Sequence, residues 1–546
     1  MPSPFASRLS TNYCPSDEEI IDIRTLLIEP KSRLKRIDDK IADLQKAIDS
    51  LTEERASVKS FVDAHDALLS PLRRLPLDII QEIFVACLPT HRNCVMSTVE
   101  APLLLGRICS SWRAIVLSTP RLWARLHIVE PGYNGIVPSS VILEEKVAQR
   151  VDTVKTWLTR SGVCPISISL EGVRQSPMPT GVLAPSSTRL FLQALIPFSS
   201  RWQDITMSFV FSPEALETLF GLAETDVPML SKLHIVRQQH HGQEAPPSVL
   251  WRSFAFLHTP TLSDLAFTGY QANLLELPIQ WTNITTLLLT GRMEGLRPDL
   301  MLGILSKCPQ IQTCHFGLPY AEHGTISLDI NDSVTELVHL RSLQITGWLD
   351  GITGILRPLL VPALREFALN GRMSALDPTL PSHLTAFFAR SQGLQGLVIN
   401  TYLFDNISLL ELLRNLPATI QRLHVSNVKA ILDADAFAML IPPESLSGDP
   451  QVAVSCPELQ DLTISGGQCP SDEALVRFVT ARMMIEPPRA RLTRLEIRLD
   501  RAMEFDIRPR IQPFLDTGLK LYTTYHPPPT AQMFSAWHGL VDDYPR

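Results

Sequence analysis

One six-residue phrase limits what this chain can fold into. The pattern apolar-x-x-apolar-x-apolar recurs as LSKLHI at 230, LSDLAF at 262, ITTLLL at 284, IQTCHF at 311, LRSLQI at 340, LREFAL at 364, LQGLVI at 394, IQRLHV at 420, LQDLTI at 459 and LTRLEI at 492, with a weaker copy, WQDITM, at 202. The eleven starts run from 202 to 492, so the ten intervals, 22 to 39 residues long, average 29. The last three positions alternate apolar, variable, apolar, which describes a short strand with one buried face. Between phrases lie helical patterns at 212–223, 297–308, 381–392, 406–416 and 470–482. Ser212, Asp299, Ser382 and Ser471 stand where such helices need a cap, and Pro228, Pro309, Pro362 and Pro457 precede the next phrase. A unit of one strand and one helix cannot bury its apolar side alone, so neighbours must stack into a solenoid of parallel strands inside and helices outside. The variable residues on and beside the strands, among them His234, Arg237, Asp264, Gln344, Glu366, His424, Thr463, Glu496 and Arg498, then share one face. Their mixed charge names no ligand class and suits the reading of a large partner surface.

Composition narrows the function classes. Of 546 residues 45% are apolar and 19% charged, which excludes wholesale disorder. The net charge of −7 gives no bulk attraction for nucleic acid or membrane, and no apolar run reaches the ~18 residues that cross a bilayer. Nine cysteines without a CxxC pair read as reduced core thiols of an intracellular protein, cytoplasmic or nuclear. No GxSxG elbow, phosphate loop, HExxH helix or EF-hand loop is present, so the expectation is a non-catalytic chain with no metal and no cofactor. The pair His240-His241 reads as a polar surface loop rather than a metal site.

Between Pro30 and Pro71 the apolar residues fall into two columns seven apart: Leu34, Ile41, Ile48 and Val62 in one, Ile37, Leu44, Leu51 and Val58 in the other, with Arg55 and His65 as interruptions. This is the a and d seam of a coiled coil, soundest over 34–51, where the chain is expected either to self-associate or to fold back as one amphipathic helix. Residues 1–29, ahead of Pro30, are expected to be disordered.

In LRRLPLDIIQEIFVACLP the residues Ile79, Ile80, Ile83, Phe84 and Leu88 keep helical spacing, and APLLLGRICSSWRAIVLSTP gives a second helix through Ile108, Trp112, Ile115 and Val116, followed by Leu122-Trp123. So small a unit has too little interior to bury this surface alone. The ordered set Leu75-Pro76, Ile79-Ile80, Ile83-Phe84, Leu88, Cys109, Trp112-Arg113 and Leu122-Trp123 resembles the F-box, the module by which adaptors dock onto a Skp-family subunit of cullin–RING ubiquitin ligases. Two departures are Asp78, where the family commonly has Glu, and a stretched loop at 89–100. The phrases after 129 resemble irregular leucine-rich repeats of the kind found behind F-boxes, although the asparagine after the strand recurs only at places such as Asn370, Asn400 and Asn427.

The resemblance implies an α/β fold: an irregular leucine-rich-repeat solenoid preceded by a small all-α F-box-like module and an N-terminal coiled-coil helix. Along the chain the expected organisation is a disordered segment at 1–29, a coiled-coil-like helix at 30–70, the F-box-like module at 71–128, the solenoid at 129–507 and a tail at 508–546 with an aromatic cluster of Phe534, Trp537 and Tyr544. The resemblance further implies a substrate-recognition adaptor of an SCF-type ligase, in which Leu75, Pro76, Ile79, Ile80, Ile83, Phe84, Leu88, Trp112, Leu122 and Trp123 meet the Skp-family subunit of a cullin complex and the solenoid meets a protein target. The alternative is a non-catalytic leucine-rich-repeat scaffold with no ligase role.

Overall fold

A computed structural model describes residues 3–69, 74–131, 140–172, 187–210, 213–237, 253–268, 274–290, 297–318, 334–350, 352–373, 375–426, 440, 456–466, 470–484 and 490–525. The pair His240-His241, Asn427 and the aromatic cluster Phe534, Trp537 and Tyr544 lie outside the described residues. The chain divides into two compact units, residues 1–83 and 84–546.

In the first unit a single helix, α1, runs from Asp17 to Leu69. It begins inside the segment expected to be disordered and passes through Pro30. Its start is fixed by a reciprocal cap: Ser16 Oγ accepts from the Glu19 N–H at 3.4 Å, and Glu19 Oε2 accepts from the Ser16 N–H at 2.9 Å. Asp17, Glu18 and Glu19 in the first turn suit the positive end of the helix dipole. Along 34–51 the columns Leu34, Ile37, Ile41, Leu44, Ile48 and Leu51 are all exposed.

The second unit is built on one parallel sheet. Its strands are β1 (Arg125–Val129), β2 (Ile166–Glu171), β3 (Trp202–Phe209), β4 (Lys232–Arg237), β5 (Asp264–Thr268), β6 (Thr286–Thr290), β7 (Thr313–Leu318), β9 (Ser342–Trp348), β11 (Glu366–Arg372), β12 (Gly396–Asn400), β13 (Arg422–Ser426), β14 (Asp461–Ser465), β15 (Arg494–Leu499) and β16 (Lys520–Tyr525), in chain order, with β8 (Thr335–Glu336) and β10 (Leu359–Leu360) forming a separate pair. All ten phrases and the weak copy at 202 are strands of this sheet, which makes the fold an irregular leucine-rich-repeat solenoid. Register follows the phrase. Leu233, Leu265 and Leu287 align, as do Ile235, Phe267 and Leu289, and both rows are buried. The first residue of each phrase, from Leu230 to Leu492, is buried as well.

The sheet starts before residue 129 and continues beyond 507, because β1 pairs with β2 and β16 with β15. Residues 508–525 are therefore a further helix, Arg508–Asp516, and a further strand, rather than a loose tail. Helices between strands turn their apolar faces to the sheet. Leu380–Ala389 buries Leu384, Phe387 and Phe388, whose rings meet Phe367 of β11 at 5.3 and 5.6 Å.

Ser471 caps its helix as expected, accepting from the Ala474 N–H at 3.2 Å. Asp299 and Ser382 instead sit inside helices Pro298–Leu305 and Leu380–Ala389, since a proline at the first or second helical position moves each start upstream. Arginines link successive repeats. Arg201 donates to the carbonyls of Leu158 and Cys164, and Arg390 to those of Leu356 and Arg357, satisfying acceptors left over at the ends of the preceding helices.

Candidate functional site

Helix α2 (Leu77–Ala86) carries the first half of the F-box-like residues. Along it Leu77, Ile79 and Ile83 are 55%, 44% and 39% exposed, unusual for apolar side chains on a short helix, while Phe84 is 1% exposed. Leu75 and Ile80 are half-buried and Pro76 is exposed. Helix α3 (Ser110–Ser118) begins at Cys109, whose sulfur accepts from the Trp112 N–H at 3.5 Å. Trp112 is half-buried, with its ring centroid 4.7 Å from that of Phe84, and Ile108 and Leu117 are exposed.

Burial revises the contact set that the resemblance implied. Phe84, Leu88, Leu122 and Trp123 are 1%, 7%, 0% and 1% exposed, sealed in the chain's own core. Trp123 stacks edge-on against Trp157 at 4.7 Å, lies under the Arg160 guanidinium and donates its indole N–H to the Val116 carbonyl at 2.8 Å. Its sequence position beside the helical segment hides the fact that it belongs to the first repeats. Leu75, Pro76, Ile79, Ile80, Ile83 and Trp112 retain accessible surface.

The open face of the sheet is three in-register rows. The middle row places His127, Ser169, Thr206 and His234 on β1 to β4, His315 beside Gln344 on β7 and β9, and His424, Thr463, Glu496 and Tyr522 on β13 to β16. On one side of it the row alternates in charge, with Asp204, Lys232 and Asp264 in β3 to β5 and Arg422, Asp461 and Arg494 in β13 to β15. Glu366 reaches Arg422 across β12, where Gly396 leaves the space. On the other side lie Asn370, Asn400, Ser426 and Ser465. Asn400 makes the after-strand turn expected of a repeat asparagine, accepting from the Tyr402 N–H at 3.0 Å. Glu496 is held by Arg494 and Arg498 at 2.6 and 2.5 Å, so its carboxyl lies below the ordinary range, the Arg494 hydrogen bond being the larger cause. The expected face residues His234, Asp264, Gln344, Glu366, His424, Thr463, Glu496 and Arg498 thus share one surface, whereas Arg237, in register with the buried Phe209 at the end of β4, falls on the opposite alternation; His127 and His315 are among the face residues not named from the sequence.

Burial holds His127, His234, His315 and His424 below the usual imidazole range. As pH falls through about 6.5 the unfolded chain takes up these protons first, so stability is lost on the acid side. Asp264 and Asp461, raised by burial, oppose this only in the lower carboxylate window. The urea midpoint is therefore expected to drop between pH 7.5 and 5.5, and a rise over that interval would contradict this electrostatic reading.

A cleft of about 760 Å³ lies where β1 to β4 begin, lined by Leu88, Pro89, Arg121, Arg125, Ser167, Gln203, Asp204 and Lys232. Its charges are already engaged: Arg125 donates to the carbonyls of Pro89 and Arg92 at 2.7 Å each, and Lys232 faces Asp264 at 3.9 Å. Among the described residues no cluster of His, Cys, Asp and Glu has metal-binding geometry, and no described helix is long and apolar enough to cross a membrane. Burial pushes the Cys94 thiol up to about 11 and those of Cys308 and Cys456 to about 12, which removes them as nucleophiles. A thiol reagent is expected to label Cys14, Cys87 and Cys109 in the folded chain, and Cys94, Cys308, Cys314 and Cys456 only on unfolding, as peptide mapping would show.

No family model and no curated protein matches the chain. Among solved structures, the complex of Rad7 and Elc1 in yeast is similar at 13% identity and a TM-score of 0.35, covering 93% of this chain and 98% of that one. The PEPR1–AtPEP1 structure is similar at 10% identity and a TM-score of 0.21, over 73% of this chain and 54% of that one. The leucine-rich-repeat ectodomain of the Arabidopsis receptor kinase HAESA, in complex with an IDA peptide hormone, is similar at 10% identity and a TM-score of 0.16, over 64% and 72%. Likeness this loose carries no information about partner or activity.

Proposed function

We propose that the chain is a non-catalytic substrate-recognition adaptor of a cullin–RING ubiquitin ligase. Residues 75–88 and the half-buried Trp112 dock a Skp-family subunit, and the open face of the sheet receives a protein target. One observation carries the docking half: α2 keeps Leu77, Ile79 and Ile83 in water while Phe84, one position on, is buried. A helix serving only its own core would turn a polar face outward. The target half is supported by rows of mixed charge, imidazole, hydroxyl and amide groups across consecutive strands, which offer many weak contacts to a broad surface and no convergent catalytic set.

The test is capture of the full chain by a purified Skp-family subunit. Ile79→Asp with Ile83→Asp is expected to weaken binding more than a hundredfold, since it places two charges where an apolar interface forms. Because both side chains are already exposed, the melting temperature should stay nearly unchanged. Equal capture of the two forms would remove the proposal and leave the scaffold reading.

A further inference from the structure

Counting upstream from Leu34 by the same heptad puts Leu27 and Ile20 in the a column and Ile23 in the d column, with Pro30 as one further d position. Because α1 is continuous from Asp17, the seam extends from Ile20 to Leu69, well beyond the 34–51 segment that sequence spacing alone favours. Such a helix is about 80 Å long. Its downstream columns, including Leu34, Ile41, Leu44, Ile48, Leu51 and Val58, are between 55% and 64% exposed, an apolar stripe that calls for a partner helix.

We propose that α1 pairs with α1 of a second copy of this chain, parallel and in register. Two features select this occupant. The central heptads carry Ile41 and Ile48 at a with Leu44 and Leu51 at d, the β-branched and γ-branched alternation that favours two strands. The flanking e and g positions are self-complementary. In a parallel pair Arg33 at g faces Asp38 at e of the second copy, and Glu54 faces its Lys59. The other g–e pairs, Leu26 with Lys31, Lys40 with Gln45, Ala47 with Thr52 and Phe61 with Asp66, contain no like charges. Glu19 and Arg24 are also opposite in sign, although Glu19 is already engaged by Arg8 at 2.5 Å. Antiparallel pairing with full overlap instead brings e against e, setting Lys59 against Arg24 or Lys31. Arg55, the polar residue at a, lies beside Glu54 of the second copy, so the interruption is neutralised and fixes register. The Lys59–Asp63 pair within the helix, 3.3 Å and largely exposed, exchanges at little cost.

This inference rests on α1 alone and stands or falls independently of ligase docking. In sedimentation equilibrium the full chain is expected at twice the monomer mass, and Leu44→Glu with Leu51→Glu at the monomer mass with unchanged ellipticity. Glu54→Lys should weaken the dimer about tenfold, and Glu54→Lys with Lys59→Glu should restore it. Leu51→Cys should give a 51-to-51 disulfide under mild oxidation, which a parallel, in-register pair permits and a fully overlapped antiparallel pair, holding the two positions about 24 Å apart, does not. A monomeric full chain, or a dimer indifferent to Leu44→Glu with Leu51→Glu, overturns the proposal. A dimer that fails to form the 51-to-51 link overturns the parallel register.

Discussion

Asp472→Ala is expected to destabilise the solenoid by about 3–5 kcal/mol, the range for breaking a buried ion pair from one side. Asp472 is fully buried and meets four donors from the far end of the chain. Its Oδ1 accepts from Arg501 at 2.5 Å and from the Tyr525 hydroxyl at 2.9 Å, and its Oδ2 from the N–H groups of Glu504 and Phe505 at 2.7 and 3.2 Å. Burial pushes the carboxyl up, but these donors together bring it below its ordinary range, and the same contact, after burial, raises Tyr525. Alanine would remove the close, buried counter-charge of the Arg501 guanidinium, 12% exposed, and leave it only the half-exposed Glu504 carboxylate at 3.7 Å. Because Tyr525 closes β16, hydrogen exchange should rise first over 520–525, ahead of the strands before β15. A loss below about 1 kcal/mol in urea unfolding would show that the node is ornamental.

Trp123→Ala should cost a similar amount, about 3–5 kcal/mol for a fully buried Trp. The F-box resemblance shares Trp123 between the partner surface and the module's own core, so it implies a loss of partner affinity alongside any loss of stability. The structure puts stability first, because the ring fills the space against Trp157 and its indole N–H occupies the Val116 carbonyl. Trp123→Phe should recover much of the packing while leaving that carbonyl unpaired. A variant with native stability and lost capture would return Trp123 to the docking surface.

The strands were legible because their period is local. Each phrase holds its three buried positions within six residues, and parallel register then aligns all ten copies without further information. The strands outside the phrase set fail for identifiable reasons. β1 is the phrase WARLHI at 123–128, whose first residue reads as part of the helical segment; β2 has Pro165 at the first position of its copy; the copy in β16 has Thr523 where an apolar residue is required. The start of α1 was signalled by Ser16 and Glu19 at capping-box spacing, a sign obscured by Pro15 and Pro30.

The site was legible in part. Spacing assigned the middle row of the open face, because alternation alone decides which side chain leaves the core. It could not separate Ile79 and Ile83 from Phe84 and Leu88, since one apolar stripe of a helix serves an internal core and an external partner alike. Nor could it foresee Asp472, whose donors lie 29 to 53 residues further on and converge only when the last repeat closes.

The most direct measurement of the docking claim is a hydrogen-exchange footprint of the full chain with and without a Skp-family subunit. Slowed exchange confined to peptides spanning 75–88 and 108–118, with β4 to β15 unchanged, is the predicted result. Protection across the strands, or none at 75–88, would contradict it.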